Sequence, residues 1–229
     1  MNQPTLRAGG IAALVLAASY IIGFVMWGAV LGEPPDTLSG KVAFVTDNLN
    51  ALTATTIFIY HIPGIALVLL VLGLRQQVGS TDSVLANWSA VLGLIWAGLV
   101  LASGMIYVVG AHAIADLATS EASDAATSWH TITVVSDALG GGSELVGALW
   151  VLGASVIAHR SGRLPTTLIF LGYFIAMAGI LTVLPQLSVF QSVFGLAQIP
   201  WFGWIGMLLL RESQEASGDM RDQLADIGP

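Results

Sequence analysis

The sequence predicts an all-α polytopic membrane protein: a bundle of six transmembrane helices with both termini cytoplasmic. Three observations carry this. Of the 229 residues, 55% are hydrophobic and only 9% charged, where a soluble domain carries about 25% charged residues. So few charges cannot cover a water-facing surface, and a mean hydropathy of +0.83 points the same way. The apolar residues also gather into six runs, each near the roughly 20 residues that cross a bilayer. Finally, six of the seven Lys and Arg residues fall on one side of those runs.

The runs cover residues 8–31, 51–74, 84–110, 136–158, 164–184 and 187–210. The first is longer than a signal-peptide core of about 7–15 residues and lacks a small-residue cleavage site, so it reads as an uncleaved helix. Arg7, Arg75, Arg160, Arg163, Arg211 and Arg221 mark the cytoplasmic side by the positive-inside rule, and Lys41 alone lies opposite.

The outer connections have their own patterns. Glu33-Pro34-Pro35-Asp36 stops the first helix, and residues 37–50 predict a short helix capped by Asp36 or Thr37. Residues 111–135 carry Asp116, Glu121 and Asp124, with a helix start near Ser120. The helix bearing His130 and Asp137 is expected to run unbroken into the fourth span, with Gly140-Gly141-Gly142 as its soft point. Residues 1–211 thus form the transmembrane domain. Residues 212–229, polar and acidic without periodicity, are expected as a disordered cytoplasmic tail.

Composition excludes several functions. A net charge of -7 offers no basic face for nucleic acid. With no cysteine there is no disulfide, thiolate nucleophile or cysteine metal site. Lysine is absent from every predicted span, which excludes a retinal Schiff base there. His-x-x-x-His and Glu-x-x-His spacings are missing, so no metal site is expected.

Ionisable and polar groups inside a bilayer are functional candidates by default. Here they are His61, Asp137, Glu144 and Gln198, with His130 above them as a ligand-binding candidate. His61-Ile62-Pro63 and Gln198-Ile199-Pro200 repeat one pattern, each followed by Arg75 or Arg211. Each proline removes an amide hydrogen, leaving the carbonyls of Ile59 and Leu196 without helical partners. Two such kinks can line one polar cavity or serve packing alone. His130, Asp137 and Glu144 recur every seven residues. On one continuous helix they share a face, about 10 Å apart along the axis, too far to ligate one metal. Such a stripe suits cations, protons or a basic ligand group. Ser143 stands beside Glu144, and Gln186 and Gln191 bracket the last outer turn. Trp27 and Trp129 suit the outer interface and Trp88 the inner one. His61 and His130 lie at mismatched depths for a haem, and no cofactor is assigned.

The second half resembles a bacterial family of six-helix integral membrane proteins, the domain-of-unknown-function 4386 type. The resemblance is carried by LWVLGASVIAHRSGRLPTTLIFLGYFIAMAGILTVL at 149–184, with its Arg-Ser-Gly-x-Leu-Pro turn at 160–165, and by GLAQIPWFGWIGMLLLR at 195–211. It implies six helices and a bacterial inner membrane, and no activity or site residues.

Three functions are consistent with these residues. The chain binds or transports a small ligand through a polar cavity in the outer half of the bundle. Alternatively it is an accessory or sensory subunit that binds lipid, a membrane protein partner or a second copy of itself. Alternatively it is an intramembrane enzyme using His61 and Glu144 as acid–base groups, which requires the two within hydrogen-bond reach or one water apart.

Overall fold

The computed structural model describes residues 3–77, 83–142 and 144–226. Among these residues there are helices and short turns and no strand. Helices satisfy every internal backbone group within the segment, which lipid demands of apolar runs.

Helix α1 (Gln3–Val25) continues into a π-helical segment, Met26–Leu31. Gly32 follows at φ 72°, a left-handed turn that a side chain would resist. Helix α2 (Leu38–Asp47) starts where Gly40 N–H donates to Thr37 Oγ1 at 3.2 Å, so Thr37 is the cap. Helix α3 (Leu49–Thr56), a second π segment (Ile57–His61) and α4 (Ile62–Gln77) form one traverse. Helix α5 (Ser83–Leu117) extends well beyond the predicted span. Helix α6 (Ala122–Ser136) leads to a third π segment (Asp137–Gly141), and α7 (Leu145–Ser161) closes at Gly162. Helix α8 (Thr166–Leu181), a 3₁₀ turn (Pro185–Leu187) and α9 (Val189–Asp226) complete the chain.

Five stretches are long and apolar enough to cross a membrane: Gln3–Leu31, Leu49–Gln77, Val84–Leu117, Ser123–Ser161 and Val189–Gly218. The fifth run, 164–184, forms α8, a shorter apolar helix of 16 residues. At 1.5 Å per residue it spans about 24 Å, less than the roughly 30 Å hydrocarbon layer.

Small residues draw the helices together. A Cβ on Gly9 of α1 would lie 2.9 Å from the Cα of Gly73 on α4, so the two backbones touch. On the other side of α1, a Cβ on Gly206 of α9 would lie 2.9 Å from the Gly10 carbonyl. The core is aromatic: Trp150 lies 5.6 Å from Trp96 and 5.7 Å from Trp201, ring centre to ring centre.

Polar contacts join the arginine-bearing helix ends. Arg163 donates to the Gln77 carbonyl, and Gln77 Nε2 donates to Glu212 Oε1 at 2.8 Å. Arg75 donates to Asn87 Oδ1. The opposite end carries a satellite core built by Val45, Leu52, Ile114, Ala125 and Trp129. Trp129 is buried there, edge-on to Tyr107 at 5.1 Å, rather than facing an interface as its position had suggested.

Two expectations are corrected. The helix bearing His130 and Asp137 does not continue into α7: it becomes π-helical at Asp137 and breaks between Gly140 and Glu144. Three successive glycines give little resistance to leaving the helix, so the soft point is a break. The polar tail does not lose its helix at Glu212, because α9 runs on to Asp226. Gln3 donates to the Ala216 carbonyl, Ser217 donates to Gln3, and Glu212 is held by Gln77. These bonds supply the tertiary support that the tail's composition lacks.

Candidate functional site

A cavity of about 470 Å³ lies in the half of the bundle away from the arginines. That size falls within the range of small-molecule sites. Its walls come from α1, α4, α5 and α9, and from all three π segments, through Trp27 and Gly28, Ile59 and Tyr60, and Gly140. Irregular π turns re-aim side chains and recur at functional sites. Trp27, Gly28 and Glu33 stand near the mouth, and Leu67, Trp96 and Phe194 lie toward the aromatic core.

Each π segment has a local cause. Pro63 cannot donate, and the turn before it shifts so that Ile62 N–H donates to the Ile57 carbonyl. Asp137 begins the segment that ends in the glycines, with Gly142 N–H donating to the Asp137 carbonyl at 3.0 Å. Met26–Leu31 precedes Gly32 and the two prolines.

The break is anchored on both sides. Before it, Ser136 of α6 and Ser103 of α5 are joined reciprocally. Ser103 Oγ donates to the Ser136 carbonyl at 2.9 Å, and Ser136 Oγ donates to the Ser103 carbonyl at 3.2 Å. After it, Glu144 N–H donates to Thr182 Oγ1 at 2.8 Å, and Thr182 donates onward to the Gly179 carbonyl at 2.6 Å. Thr182 thereby fixes where α7 begins and where the Glu144 side chain starts.

Glu144 is the principal polar group inside. Its Oε2 is buried and has no hydrogen-bond partner. Trp96 stands beside this carboxyl as a side-chain donor, without a bond of normal geometry: its Nε1 is also unbonded, and the residue is only 2% exposed. Trp96 is held in place by Gly147, where a Cβ would lie 2.4 Å from the indole. Two buried polar atoms left open at one place depart from the ordinary rule that such groups are paired.

The candidates named from sequence separate. Glu144 lines the cavity. Asp137 lies in the third π segment, its side chain beside Gly142, and does not line the cavity. His130 is exposed on α6. His61 is half-buried against Gly104, with its Nδ1 3.4 Å from the Thr56 carbonyl; its neighbours Tyr60 and Pro63 line the cavity and it does not. Gln198 is fully buried (0% exposed) with both amide atoms unbonded, also away from the cavity wall. The heptad stripe therefore does not form one face, and only one of the two prolines borders the cavity. Ser143 lies outside the described residues.

Sequence reasoning missed Thr182, Tyr20 and Tyr60 as parts of the site; Trp96 stood out only as a deep aromatic, of a kind that packs or walls a pocket. Gln191, noticed only as a turn residue, lines the cavity with its amide against Gly142. His112 and His159 are paired elsewhere, with Thr53 Oγ1 and Tyr173 Oη, each at 3.1 Å. No group of three or more metal-ligating residues occurs among the described residues. No family model matches the chain, and no curated protein or solved structure matches it either.

Proposed function

We propose that the chain binds or transports a small ligand through this cavity, as a six-span protein of a bacterial inner membrane, of the domain-of-unknown-function 4386 type. In this reading the arginine end and both termini are cytoplasmic, α8 also crosses the membrane as the fifth of six spans, and the cavity opens outward. The observation that carries it is the pair of unbonded buried atoms, Glu144 Oε2 and Trp96 Nε1, beside a cavity of ligand size. Helices broken beside polar groups also build transporter sites, and the chain leaves its helix between Gly140 and Glu144.

The test is a thermal-shift panel of small cationic, neutral and anionic organic compounds on the purified protein in nanodiscs. Gly28→Trp serves as the control, designed to place an indole at the mouth: Gly28 lines the cavity, and a Cβ there meets nothing within 4 Å. The reading expects compounds that stabilise the wild type and have no effect on Gly28→Trp. A panel in which no compound distinguishes the two proteins contradicts it.

A further inference from the structure

We infer that the ligand of this cavity carries a protonated amine, its N–H groups donating to Glu144 and its organic part lying against the aromatic wall. The inference rests on the reading of the cavity as a ligand site and names the chemical class that site accepts.

Three features of the site converge on it. The first is the acceptor. Glu144 Oε2 is buried without a donor. A buried acceptor left open loses the full desolvation cost of the group, so a ligand that donates there gains more than one that does not. Trp96 stands beside the same carboxyl and offers a donor to it. Among the described residues, no side chain is bonded to Oε2.

The second is charge. Among the described residues, the lining includes two carboxylates, Glu33 at the mouth and Glu144 within, and no Lys, Arg or His. An ionised carboxylate in a low-dielectric site is stabilised by a paired cation, and the described lining residues supply none. The field inside the low-dielectric cavity attracts cations and repels anions from mouth to floor.

The third is the wall itself. Tyr20, Phe24, Trp27, Tyr60 and Phe194 line the same cavity as the carboxyl. Aromatic faces attract cations, and they also bury an organic skeleton. A bare metal ion uses none of this surface and needs more oxygen ligands than one carboxyl gives. An ammonium on an aryl or alkyl body uses the carboxyl and the wall together.

The experiment is isothermal titration of the purified protein in nanodiscs with three probes of similar shape: 2-phenylethylamine, protonated at pH 7; neutral propylbenzene; and anionic 3-phenylpropionate. The amine is expected to bind the wild type at least tenfold more tightly than either other probe. Glu144→Gln should weaken amine binding about 10- to 100-fold, the worth of a hydrogen bond to a charged group, and leave propylbenzene within about threefold. If Glu144→Gln does not fold, the ranking of the three probes on the wild type decides alone. Propylbenzene or phenylpropionate binding as tightly as the amine, with binding lost in Gly28→Trp, overturns the amine class and leaves the ligand-site reading standing. Failure of all three probes to bind the wild type also overturns the amine class. The ligand-site reading then fails separately if the wider panel finds no compound that distinguishes wild type from Gly28→Trp.

Discussion

The backbone N–H of Glu144 donates to the hydroxyl of Thr182 at 2.8 Å, tying the first residue after the α6–α7 break to the end of α8. This bond decides where the Glu144 carboxyl, which lines the cavity, stands. Thr182→Val keeps the shape and removes the acceptor. It should lower stability by about 1–3 kcal/mol, the cost of leaving a buried N–H open. Thr182→Ser should restore most of it. Unfolding in mixed micelles followed by tryptophan fluorescence measures both.

Ser103 and Ser136 anchor the other side of the break through two reciprocal bonds. Polar contacts between membrane helices average about 0.6 kcal/mol and reach about 1.7. The double variant Ser103→Ala/Ser136→Ala should therefore cost less than Thr182→Val, since it removes both partners together and leaves no side chain unpaired. The same unfolding assay ranks the two.

Gly9 and Gly73 bring α1 and α4 into backbone contact. Gly73→Leu should separate them and cost about 1–3 kcal/mol as an overpacked contact. Gly28→Leu, on the first traverse with Gly9 but facing open space, should change stability by less than about 0.5 kcal/mol. Melting temperatures of the pair check the contrast.

Glu212 is held by Gln77, and the first turns of the tail by Gln3. Glu212→Ala should release the end of α9. Hydrogen exchange at 213–218 should then rise while exchange at 200–208 stays unchanged.

Much of the architecture is legible in the residues. The apolar runs mark the traverses, and Glu33-Pro34-Pro35 and Thr37 mark a stop and a start through backbone chemistry that acts locally. What the sequence hides is anything set by a neighbour. The seven-residue spacing of Asp137 and Glu144 describes one face only if the helix is continuous, and the glycines between them break it. Tail composition says nothing of the bonds from Gln3 and Gln77 that keep α9 helical. Polarity drew notice to His61 and Gln198, whereas cavity membership depends on which way each helix is rotated. That rotation is fixed by tertiary contacts such as Gly104 on His61. Trp96 and Thr182 look like ordinary packing residues until Gly147 and Glu144 are seen beside them.

The cavity and its direction are tested together by cysteine labelling, for which the cysteine-free chain is a ready background. Ser192→Cys lies on the cavity wall, and Ala148→Cys lies in the core. A small, membrane-impermeant, charged thiol reagent is applied to intact cells and to inside-out vesicles. The account predicts that Ser192→Cys reacts in intact cells, that adding Gly28→Trp slows the reaction at least tenfold, and that Ala148→Cys stays unreactive. Reaction of Ser192→Cys only in inside-out vesicles, or at a rate unaffected by Gly28→Trp, would contradict an outward-opening ligand cavity.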